Sequence, residues 1–314
     1  MSEQDTTFDA PLPADHRSGV VAVVGRPNVG KSTLINRLLK QKIAIVSPKP
    51  QTTRRRQLGI YTDERGQILF VDTPGLHAPQ HKLGEYMVKM AESAFRDADV
   101  ILLLLDVSQP PERADQYIAE TVARLRGETP VLLALNKADL LVPDTRDANI
   151  DAHTTLIPHQ RAFTISALNG DGVDELLDDI IGRLPTGPLY YPPDEVSDVN
   201  MRFIAAEVVR EKIMLLTEQE IPYSVAVEVE SYKERSDDMT YISALIYVER
   251  DSQKGIVIGK GGEMIKKVST QARMELEEML GTKVFLDLRV KVLKNWRSDE
   301  KLMQRLGYRM KDED

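Results

Sequence analysis

Short apolar runs alternate with amphipathic stretches over residues 18–184. The runs predict buried strands at Val20–Val24, Ile68–Val71, Val100–Asp106, Pro130–Leu135 and Ala162–Ile165. After the first run, apolar residues between Leu34 and Leu39 recur at three- and four-residue steps, which is typical of one face of a helix. Alternating strands and helices predict a doubly wound α/β domain whose ligand loops lie at the carboxyl ends of the strands.

Residues 185–195 interrupt this pattern with the string PTGPLYYPPDE. Proline at this density blocks both helices and strand ladders, so we expect a linker at 185–199 between two domains. Beyond it the pattern predicts a smaller α+β domain over 200–314, with its elements in the order helix (Met201–Leu216), strand (Tyr223–Glu230), strand (Met239–Glu249), short helix, helix (Glu263–Leu280) and strand (Lys283–Leu293). The first domain then spans 18–184, and the polar residues 1–17 are expected to be a disordered extension.

Length and composition limit the number of domains, the possible metal sites and the cellular location of the protein. A chain of 314 residues is too long for one typical core and suits two domains. It contains no cysteine, which excludes disulfides and thiolate metal sites and favours a cytoplasmic location. The longest apolar run, Val100–Leu105, is far too short to cross a bilayer, and the acidic N-terminus has no apolar signal-peptide core.

Gly25–Ser32 reads GRPNVGKS and matches the phosphate-loop pattern G-x-x-x-x-G-K-[ST] in full. It follows a predicted strand and opens a predicted helix, which is the context that the pattern requires. Backbone N–H groups of such a loop surround a β-phosphate at a helix N-terminus, while Lys31 neutralises β- and γ-phosphate oxygens and Ser32 ligates Mg²⁺. The predicted nucleotide contacts of the loop are Gly25, Arg26, Pro27, Asn28, Val29, Gly30, Lys31 and Ser32.

Two further stretches are predicted to complete the phosphate end of the site. Residues 47–59, SPKPQTTRRRQLG, are too polar for a core element and predict a loop whose threonine joins Mg²⁺ only while a γ-phosphate is present. Thr52 and Thr53 both qualify, with Thr53 preferred. The strand at 68–71 then leads to Asp72, which is placed to hold Mg²⁺ through water, and to the Gly75 N–H, which can meet the γ-phosphate. The nucleotide contacts predicted in this stretch are Asp72, Thr73, Pro74, Gly75 and Leu76.

The residue after Gly75 bears on the rate of hydrolysis. Ras-like proteins place a glutamine there to orient the attacking water, whereas this chain has Leu76 followed by His77. We therefore expect slow intrinsic turnover, or assistance from backbone groups and a bound cation. His77 as a general base is the less favoured alternative to an ordinary surface histidine.

Recognition of the base is predicted after the strand at 130–135, where the chain reads NKAD. The Asp139 carboxylate can accept from both N1–H and N2–H₂ of guanine, a pair of donors that adenine lacks. Asn136 would brace the loop, and the stem of Lys137 would lie across the ring. The motif therefore predicts a guanine nucleotide.

Ser166 and Ala167 follow the next predicted strand, where their backbone N–H groups are placed to meet guanine O6. Such a short motif predicts little by itself, but its position one strand after NKAD supports a role in guanine binding. The motifs as a whole come in the Ras-like order. The first domain is therefore predicted to be a P-loop GTPase that uses GTP, GDP and Mg²⁺.

A second glycine-rich loop lies between the last two helices predicted in the second domain. A GxxG loop brings helix N-termini to a sugar–phosphate backbone, because glycines remove the side chains that would keep that backbone away. With the α-β-β-α-α-β order, this loop resembles that of the type II K homology (KH) domain and predicts RNA binding. The predicted RNA contacts are Ile258, Gly259, Lys260, Gly261, Gly262, Lys266 and Lys267.

The net charge of −8 by itself argues against a nucleic-acid partner. The charges are segregated, however. Residues 252–274 and 283–297 each hold five Lys/Arg against one acid, while residues 207–238 hold nine acids against four bases. One face of the second domain is therefore predicted to be basic and to attract phosphate.

The two domains in this order, with GRPNVGKS, QTTRRR, DTPGLH, NKAD and VIGKGGEMIK, resemble the Era family of bacterial GTPases over about residues 19–310. The resemblance implies a Ras-like P-loop GTPase domain followed by a type II KH domain, and a role in assembly of the small ribosomal subunit. It also implies a monomer that binds 16S rRNA near its 3′ end and the 30S subunit, with peripheral association with the inner membrane. Asn28 matches a phosphate-loop asparagine that binds K⁺ in some relatives.

Two other classes of protein stay open. A membrane-associated signalling GTPase would use its second domain to bind protein, but the sequence has no basic amphipathic helix or lipidation motif that supports this. A tRNA-modification enzyme would need a second catalytic cluster, and none is evident. The tail from Trp296 to Met310 is predicted either to pack on the second domain or to contact the ribosome.

Overall fold

The computed structural model describes residues 12–47, 49–75, 81–236 and 238–309. The chain forms two compact units, neither of which is continuous in sequence. Unit 1 comprises Met1–Ile43, Arg56–Leu76 and Ala91–Asp198, and unit 2 comprises Ala44–Arg55, His77–Met90 and Val199–Asp314. Two short segments from the first half of the chain, 44–55 and 77–90, thus belong to the unit that is otherwise C-terminal.

Unit 1 is built on a six-stranded sheet. Its strands are β1 (Arg17–Val24), β2 (Gln57–Asp63), β3 (Gly66–Asp72), β4 (Val100–Asp106), β5 (Val131–Asn136) and β6 (Arg161–Thr164), in the order β2-β3-β1-β4-β5-β6. β2 is antiparallel to β3, and all other neighbours are parallel. Successive strands are connected by the helices α1 (Lys31–Leu39), α2 (Lys82–Arg96), α3 (Arg113–Leu125) and α4 (Arg146–Thr154), and α5 (Val173–Arg183) follows the last strand. The division between the units falls inside α2, after Met90.

The register of the parallel strands brings their carboxyl ends to one edge of the sheet. Val23 of β1 is opposite Asp72 of β3, and Asp106 of β4 is opposite Asn136 of β5. All seven residues of β4 are buried, as expected for a parallel strand covered on both faces. The loops that carry the predicted ligand residues therefore start from neighbouring strand ends.

β2 departs from the sequence prediction, which made residues 47–59 a loop. Gln57, Leu58 and Gly59 are buried and begin this strand, which pairs with β3. A Cβ on Gly59 would lie 2.8 Å from Leu39 Cδ1, so the missing side chain lets α1 pack closely on the strand. β2 is an antiparallel edge strand whose second half is only partly buried, and its apolar pattern is correspondingly weak.

The proline-rich residues 185–198 lie along unit 1. Thr186 bridges to Arg17, and Ser197 bridges to Gly59. The amide side chain of Gln67 accepts from two backbone N–H groups of this strip, those of residues 190 and 191, and donates to the carbonyl of residue 191. Prolines exclude a continuous ladder here, but isolated bridges and side-chain hydrogen bonds fix the strip in its place.

The inner end of the expected disordered extension is also ordered. His16 is buried, and its Nδ1 lies 2.8 Å from the carbonyl oxygen of Gly187. Arg17 begins β1, and its side chain donates to the Leu184 carbonyl at 2.5 Å. Residues 1–11 lie outside the described residues.

Unit 2 has a three-stranded sheet. Its strands are β7 (Ala226–Ser236), β8 (Met239–Val248) and β9 (Lys283–Val292), with β8 in the centre, antiparallel to β7 and parallel to β9. Its helices are α6 (Met201–Leu216), α7 (Ile221–Ser224), α8 (Asp251–Ile258), α9 (Glu263–Leu280) and α10 (Glu300–Arg305). The predicted strand start at Tyr223 is wrong, because Pro222 opens the short helix α7 and the strand begins after it. In the described part of the chain, no helix is long and apolar enough to cross a membrane.

The sheet of unit 2 packs on both faces. One face carries Ile242 and Ile246 of β8 and packs with Val268 of α9. The other face contributes Leu245 and Tyr247, which lie in a cluster with side chains of α2 and the C-terminal tail, namely Leu83, Tyr86, Met87, Trp296, Met303, Leu306 and Tyr308. Trp296 is fully buried, and its Nε1 donates to the Ser224 carbonyl at 2.8 Å. The C-terminal tail was predicted either to pack on the second domain or to contact the ribosome. Residues 296–309 pack on the second domain.

Candidate nucleotide site and GxxG loop

The phosphate loop leads from β1 into the N-terminus of α1, and its glycines have positive φ angles. Gly25 has φ 151°, and a Cβ there would lie 2.4 Å from the Leu104 carbonyl oxygen. Gly30 has φ 104°, and a Cβ there would lie 2.3 Å from Asn136 Nδ2. Neither position accepts a side chain, so the backbone N–H groups of the loop stay accessible to an anion.

Lys31 lies in the interior of the loop. Its side chain is buried, and Nζ donates to the carbonyl oxygens of Gly25 at 3.0 Å and Arg26 at 3.1 Å. Burial lowers the pKa of Lys31 to about 8; the Asp72 carboxylate opposes this shift, and the Arg26 guanidinium adds to it. An anion bound in the loop would restore the charge that burial disfavours.

Asp72 joins the end of β3 to the phosphate loop. The Ser32 hydroxyl donates to Asp72 Oδ2 at 2.9 Å, and the carboxylate is buried. Gly75 packs closely against the phosphate loop, because a Cβ on this residue would lie 2.9 Å from the Pro27 nitrogen. Hydroxyl and carboxylate oxygens are the ligands that Mg²⁺ prefers, so Ser32 and Asp72 fit the predicted metal.

Asn136 connects the phosphate loop to the predicted guanine loop. Its Nδ2 donates to the Val29 carbonyl at 2.7 Å, and its Oδ1 accepts from the Ala167 N–H at 2.8 Å. Asp139 is exposed at the following turn, where its Oδ1 accepts from the Ser166 hydroxyl at 2.6 Å. The structure thus brings the predicted base-recognition residues together and next to the phosphate loop.

Sequence reasoning missed Asp106, at the carboxyl end of β4. Its Oδ2 lies 2.5 Å from Lys137 Nζ, and its Oδ1 accepts from the Ser108 hydroxyl. Burial alone would raise the pKa of Asp106, but the bonds from Lys137 and Ser108 hold it below its usual range. The carboxylate is therefore charged and fixes Lys137, whose backbone is left-handed at φ 67°. Asp106 ends a predicted strand and lies opposite Asn136. Its place at a strand end is the feature from which its role could have been predicted.

Two arginines also hold the site loops, namely Arg26, which was predicted to contact the nucleotide, and Arg37, for which the sequence made no prediction. Arg37 on α1 donates through Nε to the Ala167 carbonyl at 2.6 Å. Arg26 in the phosphate loop lies 3.2 Å from Asp115 and 3.2 Å from Glu112 at the start of α3. Both contacts join residues far apart in sequence, and local patterns do not reveal them.

The remaining predicted residues include Thr52 and Thr53 in unit 2 and Asn28 in the phosphate loop. Thr52 and Thr53 belong to segment 44–55 of unit 2, where the Thr52 hydroxyl donates to the Lys49 carbonyl at 2.7 Å and Thr53 is buried. Asn28 has a left-handed backbone with φ 66°. Leu76 and His77 lie outside the described residues.

Polar contacts fasten segment 44–55 to α6. The Val46 N–H donates to Glu211 Oε1 at 2.8 Å, and Lys49 Nζ donates to the Met214 carbonyl at 2.5 Å. Arg210 is itself buried and donates to the backbone carbonyl of Thr52. The segment is therefore held by both its backbone and its side chains.

Arg54 makes the most buried of these contacts. Its guanidinium donates to the carbonyls of Val225 at 2.6 Å, Pro222 at 3.0 Å and Tyr223 at 3.1 Å, and lies 5.9 Å from the Trp296 ring centroid. Burial lowers the pKa of Arg54, although an arginine stays charged in any case. A charge buried against three carbonyl dipoles and an indole ring fixes this end of the segment in unit 2.

The three glycines of the GxxG loop differ in what surrounds them. Gly259, Gly261 and Gly262 have φ angles of 77°, 60° and 83°. A Cβ on Gly259 would lie 2.7 Å from the Met264 nitrogen, whereas one on Gly261 or Gly262 would meet no atom of the described residues within 4 Å. Only the first glycine is required by packing; the other two leave open backbone at the N-terminus of α9. Lys260, Lys266 and Lys267 around this opening are exposed.

Comparison with protein families matches both halves of the chain. Residues 20–137 match the family described as 50S ribosome-binding GTPase, and residues 220–297 match the KH domain. Together these matches confirm a P-loop GTPase domain followed by a KH domain.

Relatives match almost the full chain. The GTPase Era of Geotalea uraniireducens is 49% identical over 292 residues, which cover 93% of this chain and 98% of the relative. The GTPase Era of Geobacter metallireducens is 49% identical over 294 residues, with the same coverage of 93% and 98%.

Two solved Era structures share the fold. One is Era in complex with MgGDPNP and nucleotides 1506–1542 of 16S ribosomal RNA, and the other is an Aquifex aeolicus Era variant bound to GDP.AlF4−. Each has a TM-score of 0.86 and 38% identity, and each match covers 94% of this chain and 100% of the solved chain. This chain therefore belongs to the Era family of GTPases, which hydrolyse GTP and join a Ras-like GTPase domain to a KH domain.

Proposed function

We propose that this GTPase is a switch protein that binds 16S rRNA near its 3′ end and acts in assembly of the 30S subunit. The observation that carries the proposal is the position of segment 44–55. This segment holds the predicted Mg²⁺ threonine, and it is fastened to the unit that contains the GxxG loop. The solved complex of a relative with nucleotides 1506–1542 of 16S rRNA supports the choice of RNA. The monomeric state and the peripheral membrane association stay predictions.

At the phosphate end, each residue has a distinct proposed role. Gly25 and Gly30 keep the loop backbone open to the β-phosphate, and Lys31 neutralises phosphate oxygens. Ser32 and Asp72 would hold Mg²⁺, which supplies charge neutralisation at the phosphates when bound. The contact between their oxygens at 2.9 Å supports a shared site.

The rate of hydrolysis is proposed to be slow without further help. The position after Gly75 is Leu76, whose side chain has no group that could orient a water molecule. The phosphate-loop residue Asn28 is the predicted K⁺ ligand of this site. A K⁺ ion there would supply positive charge near the transferred phosphate.

Proton uptake tests the proposed role of Lys31. With a pKa of about 8 in the free protein, Lys31 is half charged at pH 8, and phosphate binding raises that pKa because it favours the ammonium form. GDP binding at pH 8 should therefore take up about half a proton more in the wild-type chain than in Lys31→Arg, and close to the same number in both chains at pH 6.5, so that protons exchanged by the nucleotide itself cancel. Calorimetric titration in two buffers of different ionisation enthalpy measures this uptake.

Lys31→Arg is the matched control, because arginine stays charged at both pH values. Its residual GDP binding should show no extra proton uptake at pH 8. Equal uptake by the wild-type chain and Lys31→Arg at pH 8 would show that Lys31 does not change protonation on binding.

For RNA, the proposal rests on the opening at the GxxG loop. Gly261 and Gly262 leave their backbone uncovered, and the N-terminus of α9 adds a partial positive charge there. Lys260, Lys266 and Lys267 are exposed around it and place three ammonium groups near a bound phosphate backbone. A single strand of RNA fits this combination.

The proposed switch is a competition for segment 44–55. In the structure the segment is tied to α6 and α7 of unit 2 through Val46, Lys49 and Arg54. We propose that Thr53 or Thr52 completes the Mg²⁺ site only after these ties break. GTP and unit 2 therefore bind the same residues in exclusive ways, and the nucleotide can change the state of the RNA-binding unit.

Nucleotide-dependent RNA binding tests the proposal. A single-stranded oligonucleotide with the sequence of the 16S rRNA 3′ end should bind more tightly with a non-hydrolysable GTP analogue than with GDP. Gly261→Asp should weaken this binding about tenfold or more, because it places a carboxylate in open space beside the phosphates. Fluorescence anisotropy of the labelled RNA measures both effects.

Gly281→Asp is the matched control. Gly281 also has a positive φ, 67°, with no atom within 4 Å of a Cβ, but it ends α9, whereas Gly261 precedes its start. The Gly281→Asp variant should bind RNA with the same affinity as the wild-type chain. Equal RNA affinity with GDP and the analogue would refute the coupling, and absence of RNA binding would favour the alternative in which the second domain binds protein.

A further inference from the structure

One part of the unit 2 sheet has no described element packed on it. Side chains alternate between the two faces of a strand, so Tyr241 and Phe285 lie on the face opposite the α6 and α9 core. Towards Leu245 and Tyr247 this face is covered by the tail cluster around Trp296. Towards the β8 N-terminus it is open, and Phe285 is 58% exposed. We call the residues Lys233, Arg235, Tyr241, Lys283 and Phe285 the aromatic surface.

The two rings of the aromatic surface form a flat platform. Tyr241 and Phe285 are direct neighbours across β8 and β9, with ring centroids 5.7 Å apart and planes inclined by only 19°. A cross-strand pair of this kind also stabilises the sheet. That role does not need an exposed ring, however, and adjacent solvent-accessible aromatic rings rimmed by polar side chains are a feature of binding surfaces.

Basic side chains surround this platform. The Arg235 guanidinium lies 4.4 Å from the centroid of the Tyr241 ring. Lys233 is opposite Tyr241 on β7, and Lys283 lies two residues before Phe285 on β9. The next cation along β9, Arg289, is already paired with Glu230 and Asp287. Positive charge is therefore concentrated beside the rings, although the chain as a whole is acidic.

We propose that the aromatic surface is a second contact for single-stranded RNA, in which a base stacks on Phe285 while Lys233 and Lys283 bind flanking phosphates. Exposed rings on a sheet together with cations are how several RNA-binding folds hold unpaired bases. The charge favours a polyanion over a protein partner. The inference rests on the proposed function in that RNA is the ligand, but the surface is separate from the GxxG loop.

Two RNA lengths separate the two contacts. The probes are labelled oligouridylates, one of about four nucleotides, which a GxxG loop can hold, and one of about twenty. In the full chain, Phe285→Leu should weaken binding of the long RNA about tenfold and leave the short RNA unchanged, since stacking on the ring is lost. Met274→Leu, at a methionine that is 60% exposed on α9, is the control and should bind both as the wild-type chain does.

A charge variant tests the same surface and keeps the rings. Lys233→Gln with Lys283→Gln should lower the slope of log K against log salt for the long RNA by about 0.7 for each lost phosphate contact. Thermal unfolding of each variant shows whether the sheet is intact, so a loss of affinity is not confused with a loss of fold.

The outcomes distinguish this inference from the proposed function. If Phe285→Leu binds the long RNA as tightly as the wild-type chain and the lysine variant keeps the salt slope, the aromatic surface does not bind RNA and a protein partner becomes the better hypothesis. The proposed function still stands in that case if Gly261→Asp loses the short RNA. If the wild-type chain binds neither oligouridylate but binds the oligonucleotide with the 16S rRNA 3′-end sequence, only this inference fails; if it binds none of the three RNAs, both proposals fail.

Discussion

Replacing Asp139 with asparagine is expected to weaken GTP binding by about three orders of magnitude and to let xanthosine triphosphate bind in its place. The carboxylate offers two acceptor oxygens, and guanine offers the N1–H and N2–H₂ donors. An asparagine amide has one acceptor and one donor group, which matches the N1–H and C2 carbonyl of xanthine. In the structure, Asp139 is exposed and is oriented by the Ser166 hydroxyl at 2.6 Å, so the substitution alters the pairing pattern without disturbing a packed core.

Competition against a fluorescent nucleotide, with GTP and xanthosine triphosphate as competitors, measures this exchange of specificity. Asp144→Asn is the matched control, because Asp144 is an exposed carboxylate on the next short turn and should leave both affinities unchanged. Unchanged GTP affinity in Asp139→Asn would show that another group recognises the base.

Replacing Arg54 with leucine is expected to release segment 44–55 from unit 2. The variant removes the donor from three backbone carbonyls, those of Pro222, Tyr223 and Val225, at about 1 kcal/mol each. Opening of the segment should become about 100-fold more frequent, which corresponds to about 3 kcal/mol. Leucine is chosen because it fills much of the buried volume without leaving an unpaired charge.

Hydrogen exchange of peptides that cover residues 44–55 measures the opening directly. In the GDP state these amides should exchange about two orders of magnitude faster in the variant. RNA affinity should then depend less on whether GDP or a GTP analogue is bound.

Arg56→Leu is the control for this experiment. Arg56 is partly exposed, belongs to unit 1 and has an ion pair of 3.6 Å with Asp97. Its removal should leave the exchange of residues 44–55 as in the wild-type chain. If Arg54→Leu also leaves that exchange unchanged, the buried guanidinium does not hold the segment.

Elements with a strong local pattern were predicted well from the sequence. β4 is a continuous apolar run, and α6 and α9 carry long apolar faces, so the predicted bounds of all three agree with the structure. The phosphate loop and NKAD were placed correctly because parallel strands bring their carboxyl ends together, a rule that needs only the order of the elements.

Elements that depend on distant partners were missed. β2 is stabilised by pairing with β3 and by the fit of Gly59 against α1, and neither contact is visible in its own residues. Arginine is usually exposed, so the sequence RRR gave no reason to bury Arg54, whose partners lie some 170 residues further on. The roles of Asp106 and Arg37 at the site likewise follow from contacts between different elements.

The discontinuous make-up of unit 2 constrains how this architecture can be inherited. A recombination event that transferred only residues 199–314 to another gene would leave behind Arg54, which bonds to residues 222–225, and Leu83, Tyr86 and Met87, which cover Trp296. The two segments left behind flank, in the sequence, the stretch that contains Asp72 and Gly75. Residues that serve the nucleotide chemistry and residues that complete the fold of the KH unit are therefore encoded by adjoining codons, and transfer of the C-terminal half alone would leave that fold incomplete.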